Sequence, residues 1–265
     1  MIPVAAAIKK MGKNEMKKVL LAAAGLVGLS IAPALAADLP ARTYTKAPAV
    51  VAPIYNWGGF YVGVNGGGGS SHKCWDLIAV VGVGTIPTTP EGCHDATGGL
   101  VGGQVGYRWQ ASNWVFGLEA QGDWANLKGS NASSPAAFAP IVNQTRIDAI
   151  GLFTGQVGYA WNNVLAYVKG GAAVTSDRYN GLLGGVTFDS ASETRWGGVA
   201  GVGIEVGFAP GWSVALEYDH LFMGSRNVSF NAFGVFDRRD NIRQDVDMGT
   251  VRVNYTFGGP IVARY

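Results

Sequence analysis

Between Arg146 and Val174 the sequence alternates apolar and polar residues on either side of a two-residue break, Asn162-Asn163. In the first arm the odd positions Ile147, Ala149, Phe153, Val157, Tyr159 and Trp161 are apolar, interrupted by two glycines. The even positions carry Arg146, Asp148, Thr154 and Gln156 with the small Gly158 and Ala160. The second arm sets Val164, Ala166, Val168, Ala172 and Val174 on one face and Lys169 on the other. A period of two suits a strand and not a helix. A sheet bathed in water would turn its apolar face to a core. Here large aromatics stand at the arm ends and the opposite face mixes charge with glycine, as in a membrane barrel whose apolar face meets lipid.

The same alternation recurs in residues 57–67, 99–109, 114–124, 194–208, 212–221 and 245–257, so eight strands are expected. Phe60, Val62 and Val64 oppose Tyr61 and Asn65 in the first, and Val251, Val253, Tyr255 and Phe257 oppose Thr250, Arg252, Asn254 and Thr256 in the last. Connections at 110–113, 162–163 and 209–211 are short, whereas 68–98, 125–144, 175–193 and 222–244 are long. An even strand count with short turns at one end and long loops at the other marks an outer-membrane barrel. The expected fold is all-β, an eight-stranded antiparallel transmembrane β-barrel with four long extracellular loops. Trp57, Trp109, Trp114, Trp161 and Trp212 fall at the short-turn end and are expected to form an aromatic girdle there. Trp124 and Trp196 mark the other rim, and Trp75 falls in a loop. A lipocalin-like barrel has no need of such a ring.

Lipid tolerates no open sheet edge, so the first strand must pair with the last. Eight strands enclose an interior just wide enough for side chains to fill. The inward positions supply Arg108, Lys169, Arg195 and Arg252 against Glu119, Glu205, Glu217 and Asp219. Four charges of each sign imply mutual compensation, as a poorly wetted interior requires. Charge balance leaves open whether these pairs form a static plug or a gate.

Charged residues make up 14% of the 265-residue chain, against about 25% in ordinary domains. Lys17-Lys18, the apolar run 19–32 and Ala34-Leu35-Ala36 read as a signal peptide over 1–36, cleaved between Ala36 and Ala37. Met16 is an alternative start. Five lysines and one acid in the leader account for +4 of the formal +2, which leaves the mature chain near −2 and gives no case for nucleic acid. Residues 37–56, with Pro40, Pro48 and Pro53, read as a periplasmic linker, and 57–265 as the barrel.

Several stretches resemble a known family. They are Ala37-Asp38-Leu39-Pro40, Tyr55-Asn56-Trp57-Gly58-Gly59-Phe60-Tyr61-Val62-Gly63, Gly155-Gln156-Val157-Gly158-Tyr159, Tyr167-Val168-Lys169-Gly170-Gly171 and the ending from Val253-Asn254-Tyr255-Thr256-Phe257 to Tyr265. Together they resemble the small outer-membrane barrels of rhizobia, brucellae and related alphaproteobacteria, with an OmpA-type barrel domain. The resemblance implies a surface-exposed, often immunogenic, porin-like protein inserted by the barrel assembly machinery. No peptidoglycan-binding domain is expected after the barrel.

Chemistry is sparse. Cys74 and Cys93, 19 apart in the first long loop of an exported chain, are expected to form a disulfide. His72 and His94 beside them resemble half a metal site, but oxidised cysteines do not ligate as thiolates, so neither metal nor cofactor is expected. Asp219-His220 is the one acid–base pair near a rim, and neighbours on a strand face opposite ways, so no enzyme is expected. Gly66–Gly69 lacks the Lys-Ser/Thr of a phosphate loop. The fourth loop mixes Arg226, Asp237, Arg238, Arg239, Asp240 and Arg243. The expected role is structural support of the envelope with display of surface loops. Alternatives are a narrow channel for small solutes and an adhesin or binder of haem-type ligands. Expected partners are membrane lipid, lipopolysaccharide and extracellular ligands at the loops.

Overall fold

A computed structural model describes residues 55–133, 141–232 and 235–258. The leader, its Ala36/Ala37 cleavage point, nearly all of the linker and the end of the chain lie outside the described residues. Eight strands follow in order: β1 (Gly59–Val80), β2 (Gly84–Ala111), β3 (Trp114–Ala132), β4 (Ile141–Trp161), β5 (Val164–Leu183), β6 (Val186–Ala209), β7 (Trp212–Ala232) and β8 (Val235–Phe257). Each pairs antiparallel with the next, and β1 pairs with β8 from Phe60↔Phe257 to Val80↔Arg238, which closes the barrel.

Strands of 19–28 residues are about twice what a bilayer needs. The long segments expected as loops continue the hairpins instead: Lys73↔His94 and Cys74↔Cys93 extend the β1–β2 ladder, and Thr145↔Tyr179 extends β4–β5. Alternation weakens there because no lipid enforces an apolar outer face, yet the backbone still needs partners. The lipid boundary is legible on the outside. Val101, Trp124, Phe153, Trp196, Phe222 and Val251 are exposed and apolar, while further along the same strands Asp95, Lys128, Arg146, Thr194, Arg226 and Arg243 are exposed and polar.

One change of face corrects the reading of β4. Below it Phe153, Val157 and Trp161 face out, but Ile147 is buried and Arg146 exposed. A register shift between Ile147 and Ala149 inserts an extra residue and inverts the faces above it. Arg146 and Arg178 then grip Asp148 from outside, at 2.5 and 2.8 Å. Tight curvature of so small a barrel also explains some glycines. A Cβ on Gly171 would lie 2.0 Å from the Phe153 carbonyl oxygen, and one on Gly67 2.0 Å from that of Gly249.

Between Ser190 and Gly198 on β6 the ladder to β7 is interrupted. Arg195 spans the gap from inside, donating to the carbonyl oxygens of Gly224 (2.9 Å) and Ile242 (3.1 Å).

Candidate functional site in the barrel interior

The interior is built in layers. At the periplasmic end Tyr55 and Trp57 tuck under the barrel with ring centroids 4.4 Å apart, packed on Val115, Ala160, Leu165 and Tyr167. Trp57 is therefore not part of the girdle: it is 0% exposed, and its backbone N–H donates to Gln110 at 2.8 Å. The chain turns inward before β1, a path that alternation within the strands does not encode. Trp109, Trp114, Trp161 and Trp212 stand exposed on the outer face at this end. Above Trp57, Arg108 lies over the Tyr61 ring (4.3 Å) and donates to Glu205 at 2.7 Å. Glu205 also accepts from Ser213 and from Asn254, the latter at 3.0 Å.

The next layer is one ion network. Arg252 bridges Glu119 and Glu217. Lys169 lies 2.6 Å from Glu217, 3.2 Å from Asp219 and 3.7 Å from Glu119. Tyr61 and Tyr167 hydroxyls donate to Glu119 and Glu217, each at 2.6 Å. All five charged side chains are buried, and a charge removed from water is tolerable only when paired and hydrogen-bonded in this way. The two tyrosines are the residues sequence reasoning did not include. Their inward position was legible for Tyr61, but not that the hydroxyls would meet the glutamates.

Above the network sits an apolar layer that charge patterning gave no hint of. Leu100, Leu127, Ile150, Leu152, Val199, Leu221, Val246 and Met248 fill the section with their neighbours; on β3, β7 and β8, Leu127, Leu221, Val246 and Met248 lie on the extracellular side of Glu119, Asp219 and Arg252. Arg195, expected among the lumen pairs, lies beyond this layer. Tyr179 accepts from it at 3.3 Å, and no carboxylate pairs with it among the described residues. Beside it Lys73 pairs with Asp177 at 2.6 Å, both fully buried. Burial pushes the Lys73 ammonium down to about 8, against the pull of Asp177.

The barrel mouth, outside the lipid, holds a third core. Trp75 packs on Tyr179 (5.6 Å) and Phe230 (5.4 Å), with Val228 and Ile242. Trp75 was expected in a loop; it is among the largest fully buried side chains. Arg238 covers Phe230 at 4.7 Å and draws in three acids: Asp189 at 2.9 Å, Glu91 at 3.0 Å and Asp240 at 3.6 Å. Arg238 and Asp240 thus leave the surface charge set, while Arg226, Arg239 and Arg243 remain on it. Burial pushes the Asp240 carboxyl up to about 7; Arg238 opposes the shift, and Glu91 and Asp189 add to it. A raised folded-state value stabilises at low pH, where Asp240 holds its proton, and that stability is lost as pH rises from the ordinary carboxylate range through about 7. Protection factors of the mouth amides, corrected for base-catalysed intrinsic exchange, are therefore expected to fall from pH 5 to pH 8, and Asp240→Asn to flatten the dependence.

Cys74 and Cys93 are joined on the outer face of the β1–β2 extension. Asp219 points into the lumen, while His220 faces outward and meets Asp247 at 2.6 Å, so the two form no dyad.

A closed eight-stranded barrel with an apolar, tryptophan-edged outer band and a charge-filled interior defines an integral outer-membrane protein. The chain belongs to the outer membrane protein beta-barrel domain family, whose model matches residues 21–257. It is 29% identical over 259 residues to the 31 kDa outer-membrane immunogenic protein of Brucella melitensis, covering 91% of this chain and 100% of that one. Identity to the 25 kDa outer-membrane immunogenic protein of Brucella abortus is 26% over 247 residues, covering 92% and 100%. Among solved structures, the outer membrane protein OprG of Pseudomonas aeruginosa shares the fold, with a TM-score of 0.50 and 12% identity over 76% of this chain and 97% of that one.

Proposed function

We propose that this protein is a non-conducting, non-enzymatic barrel that supports the outer membrane and presents paired hairpins at the cell surface. The observation that carries the reading is the stack of interior layers: a Trp57–Arg108 floor, an ion network, then a continuous apolar section. An apolar layer without polar partners offers a permeating ion no replacement for its hydration shell. The partners in this reading are membrane lipid, the barrel assembly machinery during insertion and lipopolysaccharide. Arg226, Arg239 and Arg243 stand exposed beyond the lipid band, where charge-assisted bonds to phosphate form readily. Replacing these three arginines with serine should weaken lipopolysaccharide binding, and unchanged binding removes that partner.

The main test is conductance. Protein isolated from outer membranes and placed in a planar bilayer should give no steady channels. Steady wild-type channels altered in Arg252→Ala would replace this reading with that of a narrow pore passing Arg252.

A further inference from the structure

On the outer face of β1 and β2, beyond the lipid band, four side chains form two adjacent cross-strand pairs: His72 opposite Asp95 and Cys74 opposite Cys93. Residues two apart on a strand share a face, so the four make one square patch. Asp95 Oδ1 lies 2.7 Å from His72 Nδ1, and His72 Nε2 lies 3.6 Å from Cys74 Sγ. A carboxylate thus orients an imidazole whose other nitrogen addresses one sulfur of a disulfide. On the far side of β1, β8 sets Arg243 opposite Cys74 and Asp245 opposite His72. Lys73 and His94 point inward, so among the described residues the charged groups on the His72 side of β1 and its neighbours are Asp95, Asp245 and Arg243. Among the described residues no β3 residue is in register with Cys93.

The two sulfurs are therefore unequal. Cys74 Sγ meets the His72 imidazole, and the register sets Arg243 opposite Cys74 on β8; a cation beside a sulfur stabilises its thiolate. Cys93 Sγ lies within 4.8 Å of the same imidazole but makes no hydrogen bond to it among the described residues, and Cys93 is the more exposed of the pair. In exchange, the sulfur whose thiolate is better stabilised is the better leaving group, and the accessible sulfur is the one attacked.

We propose that this disulfide is a thiol-exchange site that captures extracellular thiols on Cys93, with Cys74 as the leaving sulfur. An incoming thiolate attacks Cys93 Sγ, and a new S–S bond forms as the Cys74–Cys93 bond breaks. The electron pair leaves on Cys74, which takes the Nε2 proton of the His72 imidazolium held by Asp95. One disulfide replaces another, so no outside oxidant or reductant is required. The product is a thiol-bearing molecule tethered covalently to the outer end of the barrel. Return of the proton to His72 frees the Cys74 thiolate to attack Cys93 and release it. This capture is stoichiometric and independent of whether the lumen conducts.

The test uses the full chain in lipid vesicles with glutathione as the probe, and peptide mapping to locate the adduct. Wild-type protein should carry glutathione on Cys93. His72→Gln should react about tenfold more slowly than wild type, because the leaving sulfur loses the imidazole 3.6 Å away. Arg243→Gln should slow the reaction less than His72→Gln does. Both residues are on the outer surface, and the mobility of unheated samples in gels verifies folding. An adduct found chiefly on Cys74, or a wild-type rate in His72→Gln, overturns the proposal.

Discussion

Replacing Arg252 with alanine is expected to destabilise the barrel by about 3–5 kcal/mol, the cost of breaking a buried ion pair from one side. Arg252 holds both Glu119 and Glu217, and Lys169 already serves Glu217 and Asp219. Without the guanidinium, three carboxylates share one ammonium in a space sealed by Trp57 below and Leu152 and Leu221 above. The measurement is urea unfolding in lipid, followed by the loss of the compact form in unheated gels. Adding Glu119→Gln and Glu217→Gln to Arg252→Met should recover much of the loss, since a neutral layer carries no uncompensated charge. If Arg252→Ala unfolds at the wild-type urea concentration, the network is wetter than its geometry implies.

Trp75→Ala is expected to cost about 3–5 kcal/mol as well, by opening a cavity, but the loss should stay local. Trp75 is the centre of the mouth core, in contact with Tyr179, Phe230 and the Arg238 guanidinium. The lipid-embedded half is held by separate layers, and regions of a structure open with their own free energies. Amide exchange should therefore rise in 73–95 and 228–242, while strand segments between the tryptophan rims stay protected. A uniform rise through the barrel would mean that the mouth and the membrane half unfold as one unit.

These two variants also separate what was legible in the chain from what was not. Within lipid, each outward residue must be apolar and each backbone group paired, so the alternation from Trp114 to Trp124 or from Trp212 to Leu221 carries strand, face and height at once. Arg108, Glu119, Lys169, Glu205, Glu217, Asp219 and Arg252 could be assigned to the lumen for that reason. Their pairing could not. Arg252 meets Glu119 across a sequence distance of 133 residues, and the stagger of the barrel sets which inward residues share a level.

Above the membrane both faces meet water at some point and the constraint relaxes. There Trp75, Lys73 and Arg238 look in sequence like any loop residues, yet all three are buried. The inversion at Ile147 is equally silent in sequence, because one inserted residue costs a bulge and leaves no compositional mark.

By itself the sequence determined the strand count and the lipid-facing side, because a bilayer imposes these on every residue of a spanning strand. Only the tertiary structure decided that Trp57 closes the floor, that Arg195 serves a broken ladder instead of a carboxylate, and that His72 and Asp95 flank a disulfide. Each of these depends on register between strands, where a shift of one residue turns a side chain to the other face.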